Sequence, residues 1–265
     1  MSFAPVSGTQ LHYRMEGTRG SPALVLSNSL GAELAMWEPQ LAALRPHFCI
    51  VRYDTRGHGR SGVPPGPYTM DDLGRDVVAL LDHVQTERAS FCGVSLGGMT
   101  GMWLGVHASS RIDKLVLANT APRMAPPDMW NQRIEKVNAS GMAAISDAVL
   151  ARWFTADFIA REPSTLAQMK AMMERQPAAG YVACCAAVRD MDQREDVARI
   201  RAPTLLIAGT HDAATPPSDA AFLASRITGA RAVELPAAHI SNVEAAAAFN
   251  AALTSFLLDK ELSRS

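Results

Sequence analysis

Short apolar runs alternate along this chain with longer segments whose apolar residues recur at helical spacing. Ala23–Ser27 and Cys49–Tyr53 are continuous apolar runs of strand length, as expected of strands buried on both faces. Thr9–Tyr13 alternates polar and apolar residues and reads as an early edge strand. Between the two buried runs, Trp37, Leu41 and Leu44 share a helical face, which predicts a helix over 37–44. Tyr68–His83 is the firmest helix, with Leu73, Val77, Leu80, Leu81 and Val84 in one apolar stripe. Thr69 offers it an N-cap, and Asp71 and Asp72 fall in the first turn, where the helix dipole favours acids. Ser90–Gly93 then reads as a strand, Leu96 to His107 as a helix and Lys114–Asn119 as a strand. The alternation resumes late, with strand Thr204–Ala208, helix Ser218–Arg226, strand Ala232–Leu235 and an Ala-rich helix Glu244–Leu258.

This order implies an α/β fold with a mostly parallel central sheet and helices on both faces. Residues 122–199 interrupt it, because helical periodicity persists there without any convincing strand. That block holds seven of the thirteen methionines and two of the four tryptophans. It opens on the Pro-punctuated Ala-Pro-Arg-Met-Ala-Pro-Pro. The expected organisation is a core domain, 1–121 plus 200–265, carrying an inserted helical cap, 122–199.

Composition narrows the function. A hydrophobic fraction of 48%, a charged fraction of 19% and a net charge of −1 exclude a disordered chain and a basic nucleic-acid binder. No stretch approaches the roughly 18 uninterrupted apolar residues of a membrane span. The opening MSFAPVSGTQLHYRMEG lacks the basic region and apolar run of a secretory signal. A soluble cytoplasmic protein acting on a small molecule is expected. The four cysteines show no C-x-x-C and no spacing suited to a metal, so they read as buried free thiols in a reducing compartment.

Chemistry concentrates at Gly93-Val94-Ser95-Leu96-Gly97-Gly98. Following a strand and opening a helix, this is the context of a nucleophile elbow, whose strained serine needs small neighbours two positions away. A serine hydroxyl needs a base, and the base needs an orienting acid. Asp212 follows strand Thr204–Ala208 and His239 follows strand Ala232–Leu235, so both sit where ligands of parallel sheets gather. The order serine, acid, histidine matches the elbow-bearing hydrolases. A rival acid after strand Lys114–Asn119 fails, because Asn119 carries no charge. His12, His47, His83 and His107 read as structural or solvated; His58 precedes the serine, and His211 shares a loop with Asp212. An oxyanion needs backbone donors, one from Leu96 and a second from Leu30 in the Asn28-Ser29-Leu30-Gly31 loop. A plain tight turn closed by Gly31 would use the same residues if the loop faced away from Ser95.

Along its whole length the sequence resembles the α/β-hydrolase superfamily, most closely bacterial 3-oxoadipate enol-lactonases. The resemblance rests on Ser27-Asn28-Ser29-Leu30-Gly31, the Asp54-Thr55-Arg56-Gly57-His58-Gly59 loop, the Ser95 elbow and Ala238-His239-Ile240-Ser241-Asn242-Val243-Glu244. It implies hydrolysis of a small anionic enol-lactone through an acyl-enzyme on Ser95, with no metal or organic cofactor. The implied substrate carries a carboxylate, which a bidentate arginine would match. Arg123, Arg133, Arg152, Arg161, Arg175, Arg189 and Arg194 are the candidates in the insertion, and Arg133, close to Trp130, is the choice. Trp130 and Trp153 would line an apolar lid. The rivals are a carboxylesterase, a C–C bond hydrolase or a cofactor-free perhydrolase of the same fold, and a non-enzymatic ligand receptor. Oligomeric state is not legible in the sequence.

Overall fold

The structure, a computed structural model, describes residues 2–18, 20–124 and 126–259. Its single sheet holds β1 (Ser2–Val6), β2 (Thr9–Gly17), β3 (Ala23–Ser27), β4 (Cys49–Tyr53), β5 (Ala89–Val94), β6 (Ile112–Ala118), β7 (Thr204–Gly209) and β8 (Arg231–Leu235). The spatial order is β1-β2-β4-β3-β5-β6-β7-β8. β2 runs antiparallel to β1 and β4, and every pairing from β4 to β8 is parallel. The helices are α1 (Glu38–Leu44), α2 (Met70–His83), α3 (Leu96–His107), α4 (Pro127–Ser140), α5 (Ala143–Trp153), α6 (Ala156–Arg161), α7 (Pro163–Glu174), α8 (Ala178–Asp190), α9 (Pro217–Arg226), α10 (Ser241–Glu244) and α11 (Ala246–Leu258).

Right-handed crossovers fix which face each helix covers. The step β3 to β4 moves one way along the sheet and carries α1. The steps β4 to β5, β5 to β6 and β7 to β8 move the other way and carry α2, α3 and α9, so these lie on the opposite face. α11 returns to pack against α1. The carboxyl ends of β3 and β5, neighbours whose connections leave in opposite directions, therefore form the crevice where ligands bind in such sheets.

Two expectations change. Thr9–Tyr13 is not an edge strand: β1 folds back along it through Gly8, which sits at φ +73°, and takes the edge itself. The helix expected over Glu244–Leu258 starts two residues later, at Ala246, because Ala245 leaves helical geometry (φ −116°, ψ 45°) and separates it from the one-turn α10. Their anchors differ. Asn242 and Glu244 bond to α1 and to the loops around the site, while α11 buries Phe249, Leu253, Phe256 and Leu257. Elsewhere local rules prevail, and Thr69 caps α2 in a reciprocal capping box with Asp72. Between β6 and β7 the chain forms α4 to α8 and, among the described residues, no strand. Three of the four free cysteines are buried, while Cys49 is only partly so. Among the described residues, no helix is long and apolar enough to cross a membrane.

Candidate active site

β5 is buried along its length and α3 starts at Leu96, which leaves Ser95 alone in the turn. Its φ of 57° places a non-glycine residue in the left-handed region, a conformation that persists only where the surroundings over-determine it. Here they do. The Ser95 N–H donates to the Ala118 carbonyl at 2.9 Å, and its own carbonyl accepts the Thr120 hydroxyl at 2.8 Å. A Cβ on Gly93 would lie 2.2 Å from the Gly97 backbone, and one on Gly97 would lie 2.3 Å from the Ser27 carbonyl oxygen. Only glycine lets strand and helix approach this closely.

The acid and base meet as the sequence order suggests. Asp212 Oδ2 accepts from His239 Nδ1 at 2.8 Å, with both side chains buried. The other oxygen, Oδ1, accepts the N–H groups of Ala214 and Thr215 at 2.8 and 3.0 Å. Burial opposes ionisation of Asp212, but His239, the Thr215 N–H and the Asn119 amide outweigh it and hold the carboxyl at about 2. This carboxylate is charged throughout the neutral range.

Ser95, His239, Leu30 and Leu96 line one cavity of about 330 Å³. Leu96 is the first residue of α3, so its N–H belongs to the first-turn donors that lack an intrahelical partner. Among the described residues the Leu30 N–H also has no acceptor, whereas both flanking amides are bonded. The far wall comes from α4, α5 and α8 and includes Trp130, Trp153, Val149, Tyr181, Arg133 and Arg152. No carboxylate lines the cavity among the described residues, and neither Arg133 nor Arg152 forms an ion pair. Arg133 lies 4.7 Å from the centre of the Trp130 ring, and the buried Trp130 indole N–H has no partner among the described residues. Of the other arginine candidates, Arg123, Arg175, Arg189 and Arg194 pair with Asp192, Glu33, Asp190 and Asp192, and Arg161 is exposed.

The α/β hydrolase fold family model matches residues 22–246. The chain is a member of that family. It is 42% identical over 243 residues to 3-oxoadipate enol-lactonase 2 of Acinetobacter baylyi, covering 92% of this chain and 91% of that protein. It is also 32% identical to a putative carbamate hydrolase RutD of Variovorax paradoxus, covering 93% and 96%. The crystal structure of the enol-lactonase from Burkholderia xenovorans superposes with a TM-score of 0.96 at 47% identity, covering 97% of this chain and all of that one.

Around its elbow this hydrolase holds residues that sequence reasoning passed over. Asn119, set aside as an acid, bridges the acid and base loops by donating to Asp212 Oδ2 at 3.0 Å and to the Ala238 carbonyl at 3.1 Å. Thr215 donates its hydroxyl to Asp212 at 2.7 Å. Glu244 accepts the Ala238 N–H at 2.8 Å and also binds the Thr155 hydroxyl, which ties the base loop to the segment after α5. The Ile240 N–H reaches the Trp153 carbonyl at 3.0 Å in the same join. The sequence signal for Glu244 is its place at the end of the Ala238–Glu244 segment that carries the resemblance.

Proposed function

We propose that this hydrolase opens a small enol-lactone bearing a carboxylate arm, of the 3-oxoadipate enol-lactone type. The carrying observation is the pair of arginines that have no ion-pair partner among the described residues, set in an otherwise largely apolar cavity beside Ser95 and His239. Two fixed positive charges beside a nucleophile suit an anionic acyl substrate. The names of the relatives at 38–47% identity point the same way.

In this reading His239 takes the Ser95 proton as Oγ attacks the lactone carbonyl. The Leu30 and Leu96 N–H groups stabilise the oxyanion. The ring C–O bond then breaks, the leaving enolate takes the proton back from His239 and tautomerises to a ketone, and an acyl-enzyme remains. Water deprotonated by His239 hydrolyses the ester and frees Ser95. Asp212 keeps the His239 proton on Nδ1, so that Nε2 faces the serine. Among the described residues no hydrogen bond joins Ser95 to His239, and such bonds commonly tighten only when substrate is present. Residues 122–199 act as the cap, with Arg133 receiving the substrate carboxylate and Trp130 and Trp153 closing the apolar wall. A cytoplasmic site of action belongs to the same proposal and agrees with four free thiols.

A substrate panel tests the reading. The enol-lactone should be turned over far faster than a phenyl ester or an alkyl carbamate, and S95A should be inactive on all three. Equal rates on the lactone and the phenyl ester would favour a general carboxylesterase; a preference for the carbamate would favour the chemistry named for the RutD relatives.

A further inference from the structure

We infer that His58 is a positioning residue for the oxyanion loop, its Nε2 lone pair holding the Gly31 N–H so that the adjoining Leu30 amide stays directed into the cavity. The inference rests on the reading of Leu30 as an oxyanion donor.

The geometry specifies the tautomer. Gly31 N lies 3.0 Å from His58 Nε2, and an amide N–H can only donate, so Nε2 must carry a lone pair. The ring proton therefore sits on Nδ1, where the Arg56 carbonyl is 3.3 Å away. Burial pushes the imidazole down to about 4, with Asp54 and the Arg56 carbonyl opposing only weakly. His58 thus stays neutral, and able to accept, throughout the neutral range. The other titratable groups against the ring, Cys184 and Tyr181, are themselves shifted upward by burial and stay uncharged.

The loop that carries Leu30 is pinned on both sides. Before it, the Asn28 amide donates to the Tyr53 carbonyl at 2.7 Å and accepts the Trp37 indole N–H at 3.0 Å. After it, His58 holds Gly31, whose φ of +84° turns the chain. His58 is itself immobilised, since the Gly57 backbone packs directly on Gly180 of α8 and the Gly59 N–H donates to Gln176 at 2.7 Å. The imidazole thereby transmits the seating of α8 to the oxyanion loop, a task that a packed apolar ring could not perform.

The test compares H58L and H58Q with the wild type on a neutral aryl ester, together with affinity for an aryl boronic acid that mimics the tetrahedral intermediate. H58L should lose about 10- to 100-fold in kcat with KM changed less than about two-fold, a part of the cost of losing a whole oxyanion donor. Boronate affinity should fall by the same factor. H58Q offers a side-chain oxygen to the Gly31 N–H and should recover most of both. Equal losses in H58L and H58Q, or a loss carried by KM, would overturn the inference. Should H58L fail to fold, nitrogen NMR of the wild type decides. An Nδ1-protonated His58 coupled across the hydrogen bond to the Gly31 amide supports it, and an Nε2-protonated ring refutes it. Fluorophosphonate labelling separates the two levels: if Ser95 does not label, the serine-hydrolase reading fails and takes this inference with it. If Ser95 labels while H58L is catalytically normal, only the role of His58 fails.

Discussion

Asn119 donates to Asp212 at 3.0 Å from the end of a strand that lies far from the acid loop in the sequence. Its second amide hydrogen goes to the Ala238 carbonyl, next to His239, so one side chain spaces the acid from the base. Its own backbone is at φ 45°, just past β6, which aims the amide across the carboxyl ends of β6 and β7. Replacement by Ala leaves a buried carbonyl and a carboxylate oxygen short of donors, and should cost about 1–3 kcal/mol. N119D should be worse at neutral than at acidic pH, because two adjacent carboxylates cannot both ionise cheaply. Thermal midpoints across pH check this; an N119D protein as stable as the wild type at pH 8 would contradict it.

Arg133 and Arg152 should separate by depth. Arg133 is half-buried and stacked on Trp130, whereas Arg152 is exposed at the cavity rim. R133A removes a desolvated charge-assisted contact of about 1.5–3 kcal/mol, so kcat/KM for carboxylate-bearing substrates should fall about 10- to 150-fold. Neutral esters should be nearly unaffected. R152A should instead lower the association rate modestly, with the difference vanishing at high salt. Equal losses on charged and neutral substrates in R133A would show that the arginine serves packing alone.

Asp219 gives the stability a pH slope. Burial and the nearby Asp212 charge push it up to about 6 from the usual 3.8. The folded state thus binds this proton more tightly than the unfolded chain does. The group's contribution is full below about pH 4 and is lost as pH rises through about 6. Asp212, held near 2, works oppositely, losing its contribution only as pH falls from about 4 towards 2. D219N should flatten the stability profile between pH 4 and 7 by about 1 kcal/mol after solvent screening is discounted. Asp219 also sits in the first turn of α9, where the dipole favours its charge by a few tenths of a kcal/mol, so the slope is the decisive reading. An unchanged slope in chemical denaturation would remove Asp219 from the account.

Gly180 sets how closely α8 approaches the core. A Cβ there would lie 2.2 Å from the Gly57 carbonyl oxygen, a backbone atom that cannot swing aside. In an ordinary helix Gly→Ala gains about 1 kcal/mol, but overpacking costs about 1–3 kcal/mol and should win here. G180A should therefore melt lower and lose kcat, because the loop bearing His58 has to shift. A more stable G180A enzyme would show that the interface yields easily.

Much of this site is legible in the one-dimensional pattern, for a physical reason. The elbow at Ser95, the capping box of Thr69 and Asp72, and the placing of Asp212 and His239 after strands all depend on neighbours within a few residues. Steric rules for turns and helix ends operate over that range. The strand order was less legible, because β1 supplies only five residues and its partner fixes its place. The break at Ala245 is not legible because an alanine run has uniform helix propensity, whereas the contact of Glu244 with Thr155 is long-range.

The sequence by itself determined the placement of a serine, an acid and a histidine, in that order, at strand ends, since each lies in a loop whose local composition announces it. The tertiary structure alone decided which groups brace that chemistry. Asn119 meets Ala238 across 119 residues, and His58 meets Gly31 across 27. Burial leaves each with few available partners, so an uncharged amide comes to bridge the Asp212 and His239 loops and an imidazole from a loop before Ser95 comes to hold the Gly31 amide. Hydrogen-bond demand in a dry interior made those assignments, and composition and periodicity carry no record of it.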